Sequence, residues 1–256
     1  MWAHLVRAGQ PLIAVRDQEV APPRGTSLEI RAEGLWCALH RETPFVHWTI
    51  GLEAFAVSLD PPSDAFGAER GDRVALGLDL EWEASAPAME APIEGAGYVQ
   101  PSQVHGEILV DEDRLLLDGS GWRSHTWGTR PWWSGPSWWA DGWLDDGRSF
   151  AVAGAGHGSG QLVGSGHLVG SGSREGSAPT AVVAAARRGP RSAPVNLPSS
   201  VHLGDLALEV DPVAVAPVLV EGGGSGPARL ARSLCRYEGA GGVRGVGWVG
   251  WLEPPG

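Results

Sequence analysis

The sequence predicts an all-β protein, and three observations carry that expectation. The 256 residues include 38 glycines and 20 prolines, with no long run of helix formers, which suits short strands joined by tight turns. Apolar and polar residues alternate, most clearly from Val74 to Trp82. There Val74, Leu76, Leu78, Leu80 and Trp82 share one face, and Ala75, Gly77, Asp79 and Glu81 share the other. Turn signals recur between such runs.

In chain order, the first strands are expected at Pro11 to Val20, Ser27 to His40, His47 to Asp60 and Val74 to Trp82, with a short helical turn near Ser63 to Glu69. The stretch Ser85 to Gly97, SAPAMEAPIEGAG, has no periodicity and reads as a linker. It divides the chain into an N-terminal β domain, 1–95, and a C-terminal β domain, 96–256. Two alternating runs follow, Val99 to Val110 and Arg114 to Asp118, joined by the acidic turn 111–113. Ser137 to Trp143 and Arg148 to Ala153 flank Asp145-Asp146-Gly147, and Asp-Gly between strand patterns signals a hairpin. Residues 154–176 are rich in Gly and Ser and contain a near-repeat, Gln161 to Gly166 and His167 to Gly172. Two copies are too few for a β-helix, so a flexible insertion is expected. Val201 to Val210 and Leu230 to Trp251 close the chain. Antiparallel chains of this kind protect their edges by closing into barrels or stacking as sandwiches.

The net charge is −11 without a Lys/Arg cluster. Nucleic acid and anionic membranes are therefore excluded as partners, and the acidity serves solubility. Two cysteines, Cys37 and Cys235, make neither a disulfide framework nor a zinc signature. The start, MWAHLVRAG, lacks the apolar core of a signal peptide. The longest apolar runs, such as Ala181 to Ala186, are too short to span a bilayer. A soluble cytoplasmic protein is the expectation, with no oligomeric state specified.

Function concentrates at Ser120 to Trp133, SGWRSHTWGTRPWW. Seven of the 13 tryptophans lie between Trp122 and Trp143. Simple packing is the plain explanation, since each indole buries a large area. A core would spread its rings over all strands, however, and these crowd around His125. If a strand runs through the motif, Arg123, His125 and Trp127 share one face. With Trp122, Trp132, Trp133 and Trp139 they would line a lipophilic site, where aromatic faces stabilise a cation by about 0.5–2 kcal/mol per contact. His47, His105 and Glu107 lie on strand-like segments as well, either on a solvated outer face or in a lumen lined by convergent polar groups. The eight histidines form no HxH or HxxxH pair, so no metal ligand set is assigned. GxSxG and GxxxxGK[ST] are missing. No cofactor is implied.

At these residues the chain resembles a known family. VHGEILV, LLLDGSGWRSHTWGTRPWW and WWADGWLDDGRSF are similar to the lipocalin-like family that includes hydroxyneurosporene synthase, the carotenoid hydratase. They are closer still to its uncharacterised bacterial relatives with a Gly-x-Arg-Asp-His-Ser-Trp-Gly motif. EGLWCALHRETPFVHWTIGLEAFAVSLDPP, RVALGLDLEWE and the closing LCRYEGAGGVRGVGWVGWLE extend the likeness over most of the chain. The resemblance implies two packed calycin-like antiparallel β barrels, the first with fewer N-terminal strands than its relatives. It implies active-site roles for His125 and Trp127, and a downstream acid that protonates an isoprenoid double bond, for which Asp141 and Asp145 are the candidates by position. Two departures stand out: Ser124 and Pro131 occupy positions where the family has Asp. A carboxylate beside an imidazole raises its pKa and fixes its tautomer, so their replacement weakens acid–base chemistry at His125.

Three readings follow. The first is a hydratase, isomerase or cyclase acting on an isoprenoid- or polyketide-like compound through alkene protonation. The second is a non-catalytic carrier of a similar ligand. The third is a carbohydrate-binding module stacking sugars on Trp132, Trp133, Trp138 and Trp139; adjacent tryptophans point to opposite faces of a strand, which opposes a flat platform.

Overall fold

Strand pairing sorts the chain into an open sheet and a closed barrel. The structure, a computed structural model, describes residues 1–24, 28–92, 96–128, 135–156, 161–170, 180–188, 196–221 and 226–255, with backbone alone at 156, 161, 180–188 and 196. The open sheet contains β1 (Trp2–Leu5), β2 (Leu12–Arg16), β3 (Leu28–Ala32), β4 (Leu35–Thr43), β5 (His47–Leu59), β6 (Asp72–Ala84), β7 (Met89–Glu90), β8 (Ala96–Val110) and β9 (Asp113–Trp127). The barrel contains β10 (Ser137–Leu144), β11 (Ser149–Gly156), β12 (Gln161–Val169), β13 (Thr180–Arg188), β14 (Asn196–Leu203), β15 (Leu206–Val220), β16 (Ala228–Gly239) and β17 (Arg244–Glu253). They pair in sequence, and β10 closes on β17 with Asp141 opposite Trp248. Among the described residues, the only helical turns are 3-10, at Pro62–Phe66 and Ala240–Gly242, and no helix is long and apolar enough to cross a membrane.

The period-two reading of β6 holds. Its Leu76 and Leu80 are buried, while Ala75, Asp79 and Glu81 are exposed. Leu76 joins Ile13, Leu35, Leu52, Ala54 and Val110 in the core of the open sheet. Ser27 to His40 is not one strand: β3 and β4 form a hairpin around Gly34, whose φ of +70° suits glycine. The Asp145-Asp146-Gly147 hairpin forms as expected between β10 and β11, with Gly147 at φ +84°.

The boundary expected at residue 95 does not coincide with the pairing. β8 bonds to β6, and β9 bonds to β8, so the sheets part between Trp127 and Ser137. Of the stretch Ser85 to Gly97, the described residues 85–92 lie within the open sheet and carry the short strand β7, and Ala96 and Gly97 begin β8. The irregular composition reflects a local detour, since a linker and a surface loop share the same residues. The Gly/Ser-rich 154–176 is also corrected. Its described parts are barrel strand: Gly154 pairs with Gly164, and Phe150 with Leu168.

At several positions a glycine makes room for a tryptophan. A Cβ on Gly51 would lie 2.8 Å from Trp36, on Gly121 2.6 Å from Trp82, on Gly154 2.8 Å from Trp138 and on Gly250 2.0 Å from Trp139. Each ring lies against a backbone position with no room for a Cβ. Gly106 has a different reason: its φ is +143°, and a Cβ would meet the Asp79 carbonyl oxygen at 2.1 Å. Gly106→Ala is expected to destabilise the fold by about 2 kcal/mol or more, through strain and lost β6–β8 pairing. Chemical denaturation measures this, and an unchanged midpoint would contradict it.

β2 explains how the two bodies dock. Leu12, Ile13, Ala14 and Val15 are all buried. Ile13 and Val15 face the open sheet's core, whereas Leu12 and Ala14 pack with Leu59, Ala65 and barrel residue Ala216. Arg16 Nη1 and Gln18 Nε2 donate to the Leu219 carbonyl at 3.1 and 2.7 Å. On β12, buried His167 places Nε2 2.8 Å from the Glu90 carbonyl of β7.

Candidate functional site

Strand β9 carries the motif and distributes it over two faces. Opposite β8, Arg123 pairs with Gln100, His125 with Tyr98 and Trp127 with Ala96. These residues lie on the face that bears the sheet's apolar core. Arg123 is half-buried, and its guanidinium carbon stands 4.8 Å from the ring centres of Trp48 and Tyr98 and 5.9 Å from that of Phe45. Arg123 Nη1 donates to the Tyr98 hydroxyl, and Nη2 donates to Gln100 Oε1 at 2.7 Å. Gln100, 2% exposed, donates through Nε2 to the carbonyls of Phe45 and Ala86 at 2.9 and 3.0 Å.

Phe45 sits at the β4–β5 turn with φ +58°, a conformation that costs a bulky residue on the order of 1–3 kcal/mol. The Gln100 bond holds it there and sets its ring 5.3 Å from Tyr98, edge to face. His125 lies 5.9 Å from Tyr98 and 5.3 Å from Trp127, again edge to face. The aromatic cluster is open to solvent: Phe45 is 54% exposed and Trp127 53% exposed. His125 is exposed too. Two described cavities lie elsewhere: one of about 190 Å³ beside Val6, Leu12 and Val215, and one of about 450 Å³ at the barrel end beside Leu168, Leu203 and Val243.

Trp122 points to the opposite face of β9 and meets the barrel. Its ring centre is 5.9 Å from that of Trp143 on β10. On the same outward face of β10 stand Trp139 and Asp141. Asp141 is 8% exposed, and burial pushes its pKa up to about 6, partly offset by the Arg232 guanidinium and a hydrogen bond from the Trp248 backbone. Arg232 Nη2 lies 3.5 Å from Asp141 Oδ2 and its guanidinium 5.2 Å from the Trp248 ring. From the open sheet, His4 feels the same guanidinium; burial first, and Arg232 second, lower its pKa to about 4. The seam between sheet and barrel therefore holds a carboxyl poised near neutrality among indoles.

The other candidates separate from both places. His47, His105 and Glu107 sit on the outer face of the open sheet, not in a lumen. Even-numbered β6 residues face the core, and these three pair with the odd-numbered series that faces out: His47 opposite Glu83, His105 opposite Glu81 and Glu107 opposite Asp79. His47 and His105 reach Glu81 Oε2 at 3.3 and 3.4 Å, and Glu107 pairs with Arg114. Ligand atoms of His47, Glu81 and Glu83 lie within 4.8 Å of one another, a proximity across strands that sequence spacing does not reveal. Asp145 is exposed and structural: its Oδ1 accepts from the Arg244 backbone at 3.1 Å at the barrel's β10–β17 end. Trp132 and Trp133 lie outside the described residues.

Sequence reasoning missed Tyr98, Phe45, Gln100 and Trp48 around Arg123, and Arg232, Trp248 and His4 around Asp141. A buried glutamine beside Pro101 and an aromatic at a turn are weak signals alone. The cross-strand register makes them meaningful.

An eight-stranded antiparallel barrel with a second, open β sheet folded against it is the lipocalin-like calycin architecture. Residues 1–255 match the family described as a domain of unknown function, DUF7064, and the chain belongs to it. No curated protein matches it by sequence. Among solved structures, kievitone hydratase from Nectria haematococca is similar in fold at 8% identity and a TM-score of 0.50, covering 89% of this chain and 84% of the other. An AttH-like protein of Nitrosomonas europaea gives 11% identity and 0.48, covering 85% of each chain. CghA, solved with Sch210972, gives 12% and 0.43, covering 99% and 87%.

Proposed function

We propose that the protein binds a lipophilic small molecule, isoprenoid- or polyketide-like, on the aromatic face shared by Arg123, His125 and Trp127. One observation carries this reading. Phe45 and Trp127 are more than half exposed, and they adjoin Tyr98 in one patch around a guanidinium. Exposed rings that cluster in this way mark a surface awaiting an apolar partner. Phe45 is held there in a strained conformation, a feature typical of ligand sites. Carriage or sequestration needs nothing further.

A second reading, acid catalysis, is favoured by Asp141. A carboxyl with a pKa near 6 is protonated often enough at neutral pH to act as a general acid. Trp122, Trp143 and Trp248 beside it would shelter a cation formed by alkene protonation. Kievitone hydratase is by its name a hydratase on this fold, and the resemblance to carotenoid hydratases points the same way. Hydration, and those isomerisations and cyclisations that pass through a carbocation, begin with that proton transfer.

The test is to titrate the protein with a terpenoid and a polyene, following tryptophan fluorescence, and to analyse the mixtures by mass spectrometry. Binding should quench and shift the emission. Trp127→Leu should weaken binding about ten-fold and leave the unfolding midpoint nearly unchanged, because an exposed ring contributes little to stability. Equal losses of binding and stability would reduce Trp127 to a packing residue. Absence of any spectral response to apolar compounds would remove the binding reading. A product of altered mass or retention would establish catalysis.

A further inference from the structure

We infer that the ligand of the aromatic face carries a single negative charge, a carboxylate or an enolate of similar geometry, and that Arg123 receives it. This rests on the binding reading above and specifies the class of compound.

Arg123 is a half-buried cation with no anion of its own. Among the described residues, none of the ion pairs includes it. Its protein partners are two neutral oxygens, the Tyr98 hydroxyl and Gln100 Oε1. Among the described residues, the Nε–H and one N–H on each terminal nitrogen have no acceptor. The three rings that surround the guanidinium attract the charge, but they offer no lone pairs. A guanidinium partly withdrawn from water and lacking an acceptor favours an anion, and its planar fork fits a carboxylate with two parallel hydrogen bonds.

The neighbours complete the receptor. Tyr98 accepts from Arg123, so its own O–H is free to donate outward. His125, packed against Tyr98, offers a further nitrogen at the same end of the patch. Gln100 cannot turn away to serve the ligand itself, since its amide is committed to Phe45 and Ala86. It therefore fixes Arg123 from behind, and it ties the charged centre to the backbone that presents Phe45. The apolar part of the ligand would lie over Phe45, Val46 and Trp127, which are 54%, 55% and 53% exposed.

One guanidinium stands over the rings. The chain has no lysine and a net charge of −11; among the described residues Arg123 alone lies over Phe45, Trp48 and Tyr98, while Arg41, opposite Trp48 on β4, is exposed. A dianionic phosphate would meet one cation in a repulsive field, whereas a monoanion is matched by Arg123 alone.

Calorimetric titration with farnesoic acid and its methyl ester tests the inference. The acid should bind at least ten-fold more tightly than the ester. Raising salt should weaken binding of the acid and not of the ester, because only the acid's contact is screened. Arg123→Gln should erase the acid's advantage, bringing the ratio of acid to ester affinity to about one. The salt series on the unaltered protein answers the question even if that variant fails to fold. Equal binding of acid and ester, or an acid preference that survives Arg123→Gln, would overturn the anion site while leaving lipophilic binding intact. No binding of either compound would overturn the underlying reading, and the inference with it.

Discussion

Asp141→Asn is expected to strengthen the fold at neutral pH and to abolish proton transfer. The folded-state pKa of Asp141 is about 6, against an ordinary value of 3.8, with burial as the main cause. Below pH 3.8 the carboxyl is neutral in both folded and unfolded chains, and it carries no penalty. Between pH 3.8 and 6 the unfolded chain ionises first, so stability falls as pH rises. Above about pH 6 the penalty is complete, at about 3 kcal/mol for a two-unit shift. Asparagine keeps the oxygen that accepts from the Trp248 backbone and removes the charge. It also leaves Arg232 unpaired, but that side chain is 41% exposed and the pair is long, at 3.5 Å, so the loss is small. The net gain should be about 1–3 kcal/mol at pH 7 and close to zero at pH 3.5, measured by urea unfolding at both values. His4 works in the opposite direction: with a pKa of about 4, against 6.5, it costs stability as pH falls from 6.5 to 4. Comparing variant with parent at each pH cancels that contribution. If the protein is a hydratase or isomerase, the variant should lose at least 100-fold in turnover, the lower end of what a positioned acid supplies. A variant that is less stable at pH 7 would show that burial does not strain Asp141, and one that keeps its turnover would show that Asp141 is not the proton donor.

Trp138→Ala should be the most damaging single truncation. The ring is 1% exposed and lies in the barrel core with Phe150, Val152, Tyr237 and Trp251. It lies across Gly154, where even a Cβ would come within 2.8 Å of Nε1. Removing it leaves a cavity that neighbouring strands of a closed barrel cannot collapse into, at a cost of about 3–5 kcal/mol. The thermal midpoint should fall by roughly 6–20 °C, at 2–4 °C per kcal/mol for a chain of this size. A fall of less than about 1 kcal/mol would mean that the barrel can repack around the gap. The contrast with Trp127, only 11 residues upstream, shows that crowding of tryptophans in sequence has two unrelated causes. Trp138 faces into the barrel, and Trp127 stands exposed at the end of the open sheet's core face.

Much of the local structure was legible. β6, the β10–β11 hairpin and the β8–β9 pair follow from alternation and from Asp/Gly turns. The motif strand also runs through Arg123, His125 and Trp127 on one face as the period of two requires. Other segments misled for physical reasons. QLVGSGHLVGSG has the composition of a linker, yet Gly164 and Gly166 sit in β12 where a Cβ would lie 2.1 Å from the Ala153 carbonyl oxygen and 2.3 Å from Val152. Glycine serves flexibility and close approach alike, and only the neighbouring strand says which. Residues 85–92 show the converse, because a detour inside one sheet has the same composition as a join between two.

The sequence by itself determined which residues alternate, where the chain turns and which strand gathers chemistry, since these depend on contacts a few residues apart. The tertiary structure alone decided what covers each face. It placed β8 and β9 in the open sheet, left His125 and Trp127 in solvent, surrounded Arg123 with rings and no anion, and buried Asp141 at a seam where its charge is costly. An alternating pattern states that two faces differ. Which one meets water, a core or a second sheet depends on packing between residues that can be more than 200 positions apart, as Arg16 and Leu219 are, and no local preference encodes that.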